Sequence, residues 1–134
     1  DRMITRRLVT VAEYLDAAYQ VVHVRRVRAV LLCTEDFEVF TAVEAAFAHD
    51  PRWHDVALLT DRREARNSVE NSHLLSLSHD LSMQEYAGTA ISNLLLMAQC
   101  SHFVGGFGSH FARLAYELAF GLGSLQAPPL VVDI

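Results

Sequence analysis

The chain contains no lysine: all 11 of its basic residues are arginines. A lysine Schiff base and a lysine-clamped phosphate are therefore excluded within these residues. Any phosphate would have to be met by arginine forks and backbone N–H groups. Cysteine is nearly absent as well. Cys33 and Cys100 lie far apart in apolar runs, with no CxxC or zinc spacing, which fits two buried free thiols. The 7 histidines show no HExxH spacing, so no metal site is expected. No apolar run reaches the roughly 18 residues of a membrane span, and no signal peptide is visible. Positive charge is in deficit, with a formal net charge of -5, which disfavours nucleic acid as a partner.

What is present is apolar. Hydrophobic residues make up 51% of the 134, against 20% charged, more than an ordinary soluble domain carries. Well-buried strands or a surface meant to meet another domain would account for the excess. The chain starts at Asp1 without a methionine and ends in Val131-Val132-Asp133-Ile134, a strand in mid-course. The expectation is a single α/β unit over residues 1–134, cut from a larger protein.

Periodicity predicts the element order α-β-α-β-loop-α-β-α-β. Val11, Leu15, Ala18, Tyr19 and Val22 fall on one helical face between Val9 and Val24. Thr10 and Glu13 form a candidate capping box, and Arg25 and Arg26 suit the negative end of the helix. Val27 to Thr34 is a nearly continuous apolar run, as in a strand buried on both faces. A helix is expected from Glu38 to Ala48, broken by His49-Asp50-Pro51-Arg52, then a strand from Val56 to Thr60. Residues 66–82 read as an irregular loop. A helix from Gln84 to Cys100 would turn Ile91, Leu94, Leu95 and Ala98 inward. A short strand ends at the glycines, a helix runs from Ser109 to about Phe120 with Gly121 and Gly123 closing it, and Leu130 to Ile134 is a last strand. Strands alternating with helices imply a Rossmann-like parallel sheet with flanking helices.

Three of the 6 glycines fall within four residues, in Gly105-Gly106-Phe107-Gly108-Ser109. Glycine there would let the backbone turn sharply and a ligand approach the main chain. The free N–H groups of the next helix would then face an anion. Parallel sheets gather ligands at the carboxyl ends of their strands. Those ends here are Thr34-Glu35-Asp36, Thr60-Asp61 and the glycine turn.

The turn is neither GxGxxG nor a Walker loop, and it misses GxSxG. Its plain alternative is a tight β–α connection with Ser109 as N-cap. Arg113 stands four residues before Glu117; the pair could form a solvated ion pair worth a few tenths of a kcal/mol, or Arg113 could meet a phosphate. Glu35 and Asp36 could serve as acid/base carboxylates or bind a hydroxyl. Adjacent strand-end residues point apart, which argues against a shared proton.

The stretch from Asn93 to Leu118 resembles the donor-binding stretch of GDP-fucose-dependent fucosyltransferases. The nearest group is the α1,6-fucosyltransferases of the N-glycan core and their bacterial nodulation relatives. In that family a helix and short strand lead into a Phe-Ser-Ser-Gln turn and a helix carrying Arg and Ala-Tyr-Glu. This chain has Phe107-Gly108-Ser109-His110, then Arg113 and Ala115-Tyr116-Glu117. The run Val30-Leu31-Leu32-Cys33-Thr34-Glu35-Asp36 likewise resembles the family's strand ending in Ala-Thr-Asp-Asp. The likeness extends from about Val11 onward.

The resemblance implies the donor half of a GT-B glycosyltransferase that needs no metal or other cofactor. Its donor would be GDP-fucose or another nucleotide sugar, and its acceptor a glycan or glycoprotein. A missing N-terminal half-domain would complete it, in the Golgi lumen or elsewhere in the secretory pathway if the source is eukaryotic. By position, Glu35 and Asp36 would lie near the donor, Asn93 at the guanine, and Gly108, Ser109 and His110 at the diphosphate. Gly106, Phe107 and Arg113, from the reading of the turn and its helix, complete the candidate donor-binding set. Asn93 stands where the family has a carboxylate, His110 where it has glutamine, and Gly108 where it has a hydroxyl, which leaves base choice open. His23-Val24-Arg25-Arg26 matches half of the family's His-x-Arg-Arg-x-Asp-Lys segment but continues into Val27-Arg28. Catalytic residues are therefore not assigned within this chain. The other reading is a catalytically degenerate relative that binds nucleotide or protein without turnover.

Overall fold

The structure is a computed structural model that describes residues 9–62, 83–106 and 108–132. The loop expected over 66–82, the residues before Val9, Phe107 and the last two positions of the final strand lie outside the described residues. The chain is mixed α/β and divides into two compact units. The first comprises Asp1–Arg26 with Leu94–Ile134, the second Val27–Asn93.

In the first unit, helix α1 spans Val11–Arg25. Its start is the capping box expected from the sequence: the Thr10 hydroxyl accepts from the Glu13 N–H at 3.3 Å, and the Glu13 carboxylate accepts from the Thr10 N–H at 2.8 Å. Two otherwise orphaned donors are thereby satisfied. The helix stops at Arg26, whose left-handed φ of 54° lets its N–H donate to the Val22 carbonyl. α1 packs against strand β3, Val104–Gly105, which pairs in parallel with β4, Leu130–Val131, in the register Val104↔Leu130 and Gly105↔Val131. Helix α4 spans His110–Gly121 and is N-capped by Ser109. Its end is a Schellman turn: Ser124 N–H donates to Ala119 O and Gly123 N–H to Phe120 O, with Gly123 at φ 71°. Gly123 thus supplies the left-handed residue, while Gly121 is the last residue of the helix itself. Among the described residues of this unit, Val22, Ala98, Phe103, Ala115 and Ala119 are the buried apolar ones.

In the second unit, β1 (Ala29–Leu31) and β2 (Ala57–Leu59) pair in parallel, with Ala29 opposite Ala57 and Leu31 opposite Leu59. Helix α2, Phe37–His49, and the 3₁₀ turn Pro51–Trp53 lie between them in sequence. Among the described residues here, Val43 and Trp53 are the buried apolar side chains, and Phe47 stacks on Trp53 with ring centroids 4.5 Å apart. Both strands are shorter than the apolar runs that predicted them. Ala29, Ala57 and Leu59 are exposed rather than buried on both faces.

Helix α3, Met83–Met97, also departs from expectation. Ala98, just past its end, is fully buried, but Ile91 and Leu95 are more than half exposed, and the buried position beside Leu94 is Asn93. Leu94, Leu95, Leu96 and Met97 run around the whole helix, so their spacing selects no face. The parallel pairing was read correctly. The described strands, however, form two separate two-stranded ladders.

Candidate functional site

The glycine turn follows β3 directly. Strand β3 is held from its neighbour by alternate carbonyls: Phe103 O accepts from Leu130 N–H at 2.9 Å, and Gly105 O from Val132 N–H at 3.2 Å. Gly105 and Gly106 are buried, and Gly108 is half-buried. Phe107, a predicted site residue, lies outside the described residues. The chain turns back at once, since Ser109 N–H donates to Gly106 O at 3.3 Å.

Ser109 is an exposed N-cap in extended conformation. Its hydroxyl accepts from Ala112 N–H at 3.3 Å, and its carbonyl accepts from Arg113 N–H at 3.2 Å. These bonds account for the third and fourth N–H groups of α4. The first two, on His110 and Phe111, meet no acceptor among the described residues. A pair of unspent N–H groups at the positive end of a 12-residue helix is a place where an anion is stabilised.

Arg113 and His110 are both exposed on this first stretch of helix. Arg113 does not form the ion pair with Glu117 that their spacing allows. Among the described residues the ion pairs are Arg52–Asp50 and Arg62–Glu44, both in the second unit. The Arg113 guanidinium therefore stands with its fork uncommitted, one turn from the two N–H groups.

Gly105 has a different task from the one its sequence position suggests. Its φ is not left-handed. A Cβ on it would lie 2.5 Å from Cε1 of the Phe103 ring, so the glycine is required by that ring rather than by the turn. Phe103 is buried, and its ring tilts against Tyr116 of α4 at 6.5 Å between centroids. Sequence reasoning missed this pair. The available signal was a phenylalanine two residues before a glycine in a strand, since residues i and i+2 share a face.

The second unit holds the other predicted positions. Because β1 and β2 run parallel, their carboxyl ends lie side by side, and Thr34-Glu35-Asp36 and Thr60-Asp61 follow them. Asp36 is the N-cap of α2, with one carboxylate oxygen accepting from Glu38 N–H at 2.8 Å and Val39 N–H at 3.2 Å. Its own N–H donates to the Thr34 hydroxyl at 3.1 Å. Glu35 is exposed. Asn93 is a buried polar residue, only 6% exposed and engaged in an internal contact.

Just before β3, Ser101 Oγ and His102 Nδ1 lie 2.9 Å apart. Among the described residues no group of three or more His, Cys, Asp or Glu is arranged to hold a metal ion. Likewise no helix there is long and apolar enough to cross a membrane. Comparison with protein-family models, with curated proteins and with solved structures finds no match to this chain.

Proposed function

We propose that this chain is the donor-binding portion of a fucosyltransferase-like glycosyltransferase, with the glycine turn and the first turn of α4 holding the diphosphate of a nucleotide sugar. One observation carries the reading. Two unspent N–H groups, on His110 and Phe111, and the uncommitted Arg113 guanidinium follow a glycine-rich turn at the carboxyl end of a parallel strand. This is the donor set a lysine-free chain has for a diphosphate. Each charge-assisted hydrogen bond to the leaving phosphate would contribute about 1.5–3 kcal/mol. Charge developing on the leaving diphosphate would be stabilised by the same fixed dipoles, without a metal or other cofactor.

The reading carries the rest of the resemblance with it. The donor is GDP-fucose or a related nucleotide sugar, the acceptor a glycan or glycoprotein, and the organisation Rossmann-like and GT-B in type. If the source is eukaryotic, the setting is the Golgi lumen. A specific observation favours the second reading, a module that binds without turnover. Asn93, which corresponds to the family's guanine contact, is turned to the interior.

Calorimetric titration with GDP, GDP-fucose, UDP and ADP tests the donor site. Binding that is abolished by Ser109→Trp, with fucose transfer by the full-length chain, is the expected result. Binding without transfer would favour the module. No binding by any of the four would remove the donor site.

A further inference from the structure

We propose that the exposed end of α1 docks an extended acidic peptide segment that carries an apolar side chain. The inference goes beyond the donor-site reading and does not depend on it. The sequence has no aspartate or glutamate between Asp16 and Glu35, although the chain as a whole is acidic. Within that run α1 ends in His23-Val24-Arg25, with Arg26 as its cap. All four residues are exposed, and Val24, at 72%, is the most exposed large apolar residue among those described. Neither arginine forms an ion pair among the described residues.

The helix fixes how these side chains are arrayed. Successive residues turn by about 100°, so Val24 points almost directly away from the buried Val22. His23 and Arg25 flank it, one on each side. The His23 ring is steadied by stacking on Tyr19, with centroids 5.6 Å apart and planes at 19°. Arg26 stands just beyond, in the left-handed conformation, with φ 54° and ψ 40°. A helix that needed only to stop would have glycine at this position, where a Cβ is disfavoured. Cations at a helix end complement its dipole. That role needs neither an arginine in a left-handed backbone nor an exposed valine between the charges.

Charge complementarity selects the partner. A guanidinium fork meets a carboxylate with two parallel bonds, and Val24 calls for an apolar side chain among the acids. Nucleic acids and sulfated polysaccharides carry their charge on polar backbones, with nothing aliphatic for Val24. An anionic lipid surface offers both, but the clusters that hold a protein to such a surface have roughly 4–8 basic residues. Here there are two arginines and a histidine.

The test titrates the full chain into a fluorescein-labelled peptide of glutamates interrupted by leucines, followed by fluorescence anisotropy, with a leucine-free glutamate peptide alongside. We expect wild type to bind the leucine-containing peptide about threefold more tightly than the other, and Val24→Ser to abolish that preference. Arg25→Ala and Arg26→Gly should each weaken binding about threefold to fivefold. Arg62→Ala, which removes an arginine paired with Glu44, should leave it unchanged. Arg26→Gly should at the same time raise the melting midpoint by about 2–4 °C, because glycine relieves the left-handed position. A midpoint that fails to rise would place the arginine in the fold and overturn the inference. So would absence of peptide binding, equal affinity for the two peptides, or tighter binding of heparin, single-stranded DNA or phosphatidylserine vesicles. These readouts do not involve GDP, so loss of the donor site and loss of this inference are separate outcomes.

Discussion

Asp50 ends one helix and begins the next. Its N–H donates to Ala46 O at the end of α2, and its carboxylate accepts from Arg52 N–H at 3.0 Å and the Arg52 guanidinium at 2.8 Å. These bonds from Arg52 hold its carboxyl below the usual carboxylate range. A lowered folded-state value means that the contribution is complete above the ordinary value and is lost as pH falls through the folded one. Asp50→Asn should therefore lower the melting midpoint at pH 7, and the gap to wild type should close as the pH is brought below about 4. A gap that stays constant with pH would contradict this. Cys100 shifts the other way, because burial pushes its thiol up. It should react with a thiol reagent far more slowly in the folded protein than in denaturant, measured after Cys33→Ser. Equal rates would show an open thiol. Trp53, the only tryptophan, is 1% exposed. Trp53→Ala should cost about 3–5 kcal/mol in denaturant unfolding followed by circular dichroism. The break at Asp50-Pro51 was legible, because proline and a short capping carboxylate act locally. The burial of Trp53 was not, because it depends on Phe47, six residues away and across the break.

Helix ends were the most legible elements. Thr10 with Glu13, and Ser109, cap the helices their positions suggested, since an N-cap needs only the chain within three residues; Asp36, read from the sequence as a site carboxylate, also proves to be an N-cap. Ser109→Ala should destabilise the protein by about 1 kcal/mol and weaken GDP binding, because the first turn of α4 loses the bond that orders it. Thr10→Ala should show a similar loss of stability with unchanged GDP affinity, as its bonds lie within the start of α1. If both variants alter affinity equally, the effect is general loosening and not the site. Helix faces were less legible. α3 carries apolar residues around its circumference, so neither the exposure of Ile91 and Leu95 nor the burial of Asn93 follows from periodicity.

At the scale of the whole molecule, alternation of strands and helices correctly predicted mixed α/β structure and parallel pairing. It did not give the partners. Pairing is decided by contacts distant in sequence, and the runs Val27–Thr34 and Leu130–Ile134 are alike in composition. The ladders join β1 to β2 and β3 to β4. The apolar excess of the sequence has a visible counterpart. Phe111 and Leu114 of α4 and Leu122 at its C-cap stand exposed at helical spacing, whereas Ala115 and Ala119 are fully buried. A patch of this kind should bind a hydrophobic fluorescent dye. Leu114→Glu with Leu122→Glu should reduce the dye signal by at least half, and an unchanged signal would place the apolar surface elsewhere.

The proposed diphosphate site at the first turn of α4 stands or falls with a titration of Arg113→Ala against GDP. Arg113 makes no side-chain bond within the described residues, so its loss leaves the fold intact. Wild type should bind GDP, and Arg113→Ala should bind it about tenfold or more weakly with the melting midpoint unchanged. Equal affinity of the two proteins for GDP, or no binding by either, would contradict it.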